Sequence, residues 1–353
     1  MGIKVQSNII QERELTGGRW EGLDILKVLC SFMVVVIHAP FPGIIGGYIT
    51  ALSRISVPIF FMITGFFYPN ILQKNREKHQ IKKMFTLFVV ANMVSILAAC
   101  CKAMTTGSLR GFWGSLLELE TVVKFFVWNE PPFGRHLWYL GAILYTLLIV
   151  YFAKKANAIR LLTLLTPVLL FLSLVFGKYC IVLFGTQIPY YCVRNFLLFG
   201  MPYFLIGKLL FENRKQILNR FTDRLFILGL VIFGIFTVVE RYILVTYQVN
   251  ASNDYYFSTP FLACTVFLKF AKLNCRKNVF WGGVLSRIGK QYSTWIYLIH
   301  PLLIGVTDVL IGERLQFLRP CVVFLLALFI CILTKRIYWA LSLKTHHSSC
   351  LRF

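Results

Sequence analysis

The sequence predicts an all-α fold: a polytopic membrane helix bundle of about ten transmembrane helices with both termini cytoplasmic. Three observations predict it. Of the 353 residues, 58% are hydrophobic and only 14% charged, with a mean hydropathy of +0.70. Soluble domains run at about 45–50% and 25%, and a globule of this length has no interior for such an excess. The apolar residues also fall in ten runs close to the length that crosses about 30 Å of hydrocarbon. These are Leu23–Ala39, Ile55–Tyr68, Met84–Cys101, Leu137–Phe152, Leu161–Phe176, Asn195–Phe211, Leu225–Val239, Tyr256–Phe270, Thr294–Ile311 and Cys321–Tyr338. The runs are continuous and not alternating, which selects helices over a barrel. Finally, with the N-terminus inside, 27 of the 37 Lys and Arg fall on the cytoplasmic side and 10 on the other, the asymmetry that orients multi-pass proteins. Soluble enzymes, disordered chains and fibrous repeats are excluded.

The elements follow in order. Residues 1–22 read as a cytoplasmic N-terminal segment without an apolar signal region, 23–341 as the transmembrane domain and 342–353 as a short cytoplasmic tail. Lys154–Arg160 is short enough to make its two flanking runs a tight hairpin. The formal charge of +23 fits basic loops against anionic lipid, and no nucleic-acid partner is expected. The ten cysteines show no CxxC pair and no Cys/His ligand spacing, so no metal site is expected. Cys180 and Cys192 are the pair considered for a disulfide.

Ionisable groups inside apolar runs are costly and mark functional candidates. Lys27 and His38 share the first run, eleven residues apart. On a helix that spacing leaves them within roughly 20° of one face and about 16 Å apart along the axis. Lys27 reads as a ligand cation or a snorkelling side chain, and His38 as catalytic or as an interfacial, hydrogen-bonded imidazole. His136 opens the fourth run in Gly134-Arg135-His136-Leu137-Trp138-Tyr139, where Trp138 and Tyr139 also suit an aromatic belt. His300 precedes Pro301 in Tyr297-Leu298-Ile299-His300-Pro301. That proline frees a backbone carbonyl, so a buried histidine satisfied by a carbonyl competes with a functional reading. Arg54, ahead of the second run, is a weaker candidate, as is Glu130 in a Trp-Asn-Glu-Pro-Pro loop. Glu240 and Arg241 read as a local ion pair. Glycine-rich, HExxH and GxSxG patterns are absent from the sequence, which removes support for ATPase, zinc-protease and hydrolase classes.

Four segments then share one resemblance. Leu23-Asp24-Ile25-Leu26-Lys27 leading into Val35-Val36-Ile37-His38 resembles the first helix of the acyltransferase 3 family of integral membrane acyltransferases. Val57-Pro58-Ile59-Phe60-Phe61-Met62-Ile63-Thr64-Gly65-Phe66 is similar to its second-helix "VPxFFxxSGF". His136-Leu137-Trp138-Tyr139-Leu140 is similar to "HLWYL", and Ser293 through Pro301 to "SxxIYLIHP". The resemblance implies transfer of an acyl group, acetyl being the expected type, from acyl-CoA to a hydroxyl of a cell-envelope polysaccharide or lipid-linked sugar. It implies a multi-pass bacterial inner-membrane protein with acetyl-CoA as co-substrate and no tightly bound cofactor. It makes His38 the catalytic residue, as general base or acyl relay. Lys27 stands where the family usually has Arg, at the CoA-binding position, and cannot make that residue's bidentate fork. Arg54, His136, Trp138, Tyr139, Tyr297 and His300 are the expected substrate-binding residues. The glutamate that follows "HLW" in some members has no counterpart after Tyr139. A transporter or flippase of a small polar solute or glycan intermediate is the alternative, since intramembrane histidines also serve proton relays.

Overall fold

The computed structural model describes residues 19–247, 249, 256–273 and 280–350. Residues 1–18 of the expected N-terminal segment, and the tail beyond 350, lie outside them. The described residues are helical and loop, with no strand among them. In chain order the helices are α1 (Glu21–His38), α2 (Gly43–Ser53), α3 (Ser56–Gln73), α4 (Glu77–Thr105), α5 (Leu109–Leu117), α6 (Leu119–Trp128), α7 (Trp138–Lys155) and α8 (Ile159–Phe176). There follow α9 (Cys180–Phe184), α10 (Tyr190–Val193), a π-helix at Phe196–Gly200, α11 (Met201–Glu212), α12 (Arg214–Arg220), α13 (Asp223–Thr246), α14 (Thr259–Lys272), α15 (Phe280–Leu310) and α16 (Arg319–Cys350). Short 3₁₀ turns at Arg135–Leu137 and Glu313–Leu318 lead into α7 and α16.

All ten apolar runs are helical, but the count of ten spans is not reproduced. Among the described residues, seven helical stretches are long and apolar enough to cross a membrane: Gly43–Gln73, Glu77–Thr105, Arg135–Lys155, Ile159–Phe176, Asp223–Thr246, Gly282–Leu310 and Leu315–Trp339. An eighth is reached if Phe196–Glu212 and Arg214–Arg220, bent by 78°, count together. The differences have physical causes. Helix α1 carries Glu21, Asp24 and Lys27 within its 18 residues. Helix α14 has 14 residues and reaches about 21 Å, short of the hydrocarbon thickness.

The described residues form two compact units, one within 21–53 and 273–350, the other within 54–272 together with Arg19 and Trp20. In the first, α1 packs against α15, and α15 against α16. The α1–α15 approach is close because Gly289 has no side chain: a β-carbon there would overlap the Asp24 carbonyl oxygen. Further along the same pair, Ser31 Oγ donates to the carbonyl of Ser293, 262 residues away, at 3.4 Å. Phe32 meets Phe324 edge-on with centroids 5.4 Å apart, and Ile296, Ala327 and Cys331 form a small core.

The second unit is organised by α3 and α11. A β-carbon at Gly65 would strike the Phe204 carbonyl, and one at Gly207 would strike that of Met62. The two helices therefore exchange close backbone approaches, the device by which membrane helices gain contact when lipid is as apolar as the protein. Phe61, Met62, Phe66, Tyr203 and Phe204 are all within 1% of complete burial around this crossing. Ion pairs tie the loops. Lys154 reaches Glu77 at 2.5 Å and Lys269 reaches Asp223 at 2.9 Å, each joining segments that the charge count places on one side. Cys180 and Cys192 are free thiols.

Gly65→Val should therefore cost roughly 3 kcal/mol or more, because a backbone carbonyl cannot yield to the added carbons. Gly234, on α13, has open space around its missing β-carbon, and Gly234→Ala should be neutral or stabilise by up to about 1 kcal/mol through helix propensity. Thermal unfolding of the two purified variants in detergent distinguishes these outcomes.

Candidate functional site

The four segments that carry the family resemblance pair off: the first with the fourth in one unit, the second with the third in the other. In the unit of α1, α15 and α16, the histidine that ends α1 meets the histidine within α15. His38 is exposed and His300 fully buried, with ring centroids 5.2 Å apart and planes tilted by 43°. Tyr297, one turn before His300, is also buried, its ring 6.1 Å away.

The orientation of His300 follows from Pro301. A proline has no amide N–H, so the carbonyl four residues earlier, that of Tyr297, loses its helical donor. His300 Nδ1 lies 2.7 Å from that oxygen. A carbonyl only accepts, so Nδ1 carries the proton, and in the neutral ring the lone pair is on Nε2. The carbonyl-satisfied histidine is thus present, and it also fixes a tautomer.

Lys27 lies lower on the same continuous helix as His38. Its ammonium pairs with Asp24 Oδ1 at 2.9 Å, and its side chain keeps 23% exposure.

In the second unit, Phe61 of the second-helix segment packs edge-on to Tyr139, centroids 4.7 Å apart, and at 6.3 Å from Trp138. Trp138 is buried and meets Phe199 at 5.4 Å, so it is no part of a lipid-facing belt. His136 is half-buried on the 3₁₀ turn before α7, and Arg54 half-buried in the turn before α3. Five of the predicted residues thus fall into two groups, His38 with Tyr297 and His300, and Trp138 with Tyr139 about Phe61.

Three residues beside the "HLWYL" segment escaped the sequence reading. Arg194 stacks its guanidinium over Tyr190 at 4.0 Å and over Trp138 at 5.0 Å, and reaches Glu130 at 3.4 Å. Asn129, buried and left-handed with φ 54°, donates to the Trp138 carbonyl at 3.2 Å and accepts from Phe196 N–H at 3.0 Å. Asn195 accepts from Leu197 and Leu198 N–H at 2.9 and 3.0 Å and so caps the π-helix. The available signal was an asparagine beside each of two apolar runs, one in the loop ahead of the fourth and one at the start of the sixth, where side-chain amides replace ladder bonds.

Glu240, read from the sequence as half of a local ion pair with Arg241, also makes bonds further away in the fold. It accepts from Tyr179 Oη and from the Phe257 N–H, the latter at 2.8 Å, holding the chain that leads into α14. Burial, and then this hydrogen bond, push the Tyr179 phenol well above its ordinary value, so it stays a donor. Among the described residues no three His, Cys, Asp or Glu side chains converge as a metal site.

Apolar helices of spanning length define a multi-pass integral membrane protein, in which the histidine that ends α1 meets the one within α15. The chain belongs to the acyltransferase 3 family: the family's acyltransferase domain matches residues 20–336, nearly its whole length. A stretch is also similar to an amino-acid racemase of Enterococcus faecalis, 32% identical over 144 residues, 37% of this chain and 20% of the racemase. The match therefore spans about a fifth of that relative's length. No solved structure matches.

Asn129→Ala should cost about 2–3 kcal/mol, from a buried amide left unpaired and a strained left-handed backbone. Asn129→Gly removes the strain while keeping the loss of the amide, so it should recover about 1 kcal/mol of that cost. Melting temperatures of the two variants, compared with the native chain, give both contributions.

Proposed function

We propose that this family member moves an acyl group, acetyl in the first instance, from acyl-CoA to a hydroxyl of a cell-envelope polysaccharide or lipid-linked sugar at a bacterial inner membrane. The observation that carries the reading is the exposed His38 at the end of a helix, beside a buried imidazole of defined tautomer. An imidazole suits the general base for a hydroxyl nucleophile near neutral pH.

In the step proposed, His38 takes the acceptor hydroxyl's proton as that oxygen attacks the thioester carbonyl. The tetrahedral intermediate collapses, the C–S bond breaks, and the proton passes from the imidazolium to the departing sulfur. The products are the ester and free CoA thiol, with His38 neutral again. An acyl-histidine relay is the covalent variant of the same chemistry. Lys27, sharing its ammonium with Asp24, is the proposed contact for a CoA phosphate. Tyr297 is proposed to support the developing oxyanion. Arg54, His136, Trp138 and Tyr139 are proposed on the acceptor side, the last two as the aromatic wall built on Phe61.

The carrier reading draws on a specific feature, the 78° break between Phe196–Glu212 and Arg214–Arg220, because interrupted helices mark substrate sites in transporters. Dependence on acyl-CoA separates the two readings.

Sealed vesicles retaining their native glycans, supplied with acetyl-labelled acetyl-CoA, should accumulate label in the glycan or lipid fraction. His38→Ala should lower that rate by about a thousandfold with the protein still folded in the membrane. Retained transfer by the variant would remove the mechanism, and no transfer by the native chain would favour a carrier.

A further inference from the structure

We infer that α5 and α6 form a membrane-surface segment: their outward apolar stripes are seated in the headgroup–acyl boundary of the bilayer, and their partner is lipid. This surface is independent of the acyl-transfer reading. Helix α4 opens with Glu77, Lys78, Lys82 and Lys83. From Met84 to Thr105 it then carries a single charge, Lys102, near its end. A helix over that stretch rises about 33 Å, the thickness of the hydrocarbon. Gly107 follows in the left-handed region with φ 68°, and the Ser108 N–H returns to the Ala103 carbonyl at 2.9 Å. Helix α4 therefore stops, and the chain turns, at the level of a bilayer surface. The helices that begin there have nine and ten residues. Each reaches about 15 Å and is too short to cross.

Both helices are built the wrong way round for water. On α5, Leu109, Trp113 and Leu117 repeat every fourth residue and are all exposed, Leu117 by 71%. On α6, Leu119, Val122, Val123, Phe126 and Val127 are all exposed, Leu119 by 77%. At 100° per residue those five share a stripe about 140° wide. Every residue of α6 keeps some exposure, and α5 buries Phe112.

The other sides of the two helices are held in place. Phe112 stacks on Phe133 with centroids 5.2 Å apart, and Phe125 on Phe88 of α4 at 5.5 Å. Lys124 pairs with Glu120 at 2.5 Å and lies over the Tyr191 ring at 4.9 Å. The apolar stripes thus face outward because the packing puts them there, and an exposed apolar surface of this kind marks an interaction.

Two features select lipid as the partner. The stripes continue the exposed side of α4, where Val90, Met93, Leu97 and Met104 repeat along one face, the side that a spanning helix gives to hydrocarbon. Across the segment Arg110 and Lys124 balance Glu118 and Glu120, so apolar burial and not headgroup charge seats it. The seating also reaches inward. Helix α6 ends at Asn129, whose amide donates to the Trp138 carbonyl at 3.2 Å, so the level at which lipid holds α6 is passed to the start of α7.

The full-length chain in nanodiscs of phosphatidylcholine tests this with the photoreactive residue p-benzoylphenylalanine, introduced at Leu117, at Phe126 or at Ser115, which is exposed on the opposite side of α5. Irradiation and mass spectrometry should give a phospholipid adduct at Leu117 and Phe126 in about fivefold greater yield than at Ser115. A cross-link between two copies in place of lipid, equal yields at the three positions, or no adduct on the stripes would overturn the inference. Should a photoreactive variant fail to fold, Trp113 decides alone, through the fluorescence of the native chain less that of Trp113→Phe. Lipid brominated near the headgroup should remove about half or more of that Trp113 signal, and lipid brominated near the chain ends much less. A signal that shallow bromines leave intact overturns the seating. Quenching that requires anionic lipid overturns it too, by making headgroup charge the partner.

Discussion

Hydrocarbon offers no water to a backbone group that has lost its partner, and this constraint shapes every irregular position in the chain. Where Pro301 removes a donor, the imidazole of the preceding residue takes the stranded Tyr297 carbonyl. Where α11 begins as a π-helix, Asn195 caps the loose amides and Asn129 reaches across to Phe196. Where the chain enters α14, Glu240 gathers a phenol and a backbone amide. In each case a polar side chain sits in apolar surroundings because the backbone requires it there. At Pro301 the repair also leaves a histidine with a known proton position beside a second, exposed one.

The helical class and the ten apolar runs were legible because hydropathy registers burial in lipid directly. The number of spans was not. A run of apolar residues says nothing of how Glu21, Asp24 and Lys27 are spent at the start of α1, or that α14 ends at Lys272. His38 and His300 were legible as misfits in apolar sequence, and their meeting was not, since nothing in either segment encodes its partner. The pairing of the second-helix segment with "HLWYL" was equally hidden: Phe61 looks like any core phenylalanine until Tyr139 is found against its edge.

Arg194 shows a different limit. Alone in the sequence it is one more cation in a basic protein. In the fold its guanidinium is layered with Tyr190 and Trp138 and answered by Glu130, which explains how a charge is tolerated beside an aromatic core. Small residues complete the picture from the other direction. Gly65, Gly207 and Gly289 contribute by what they lack, and only the neighbouring carbonyls reveal it.

The long closure between α1 and α15 also has a consequence in time. Ser31 and Ser293 touch across 262 residues, so the helix bearing His38 is synthesised and inserted long before the segment that receives it exists. A nascent chain must hold that helix, with its acidic and basic residues, in some provisional arrangement while the other unit folds behind it. Any chain that stops short of α15 has His38 without His300. Helices α15 and α16 leave the ribosome long after α1 and therefore act as a completeness check on it.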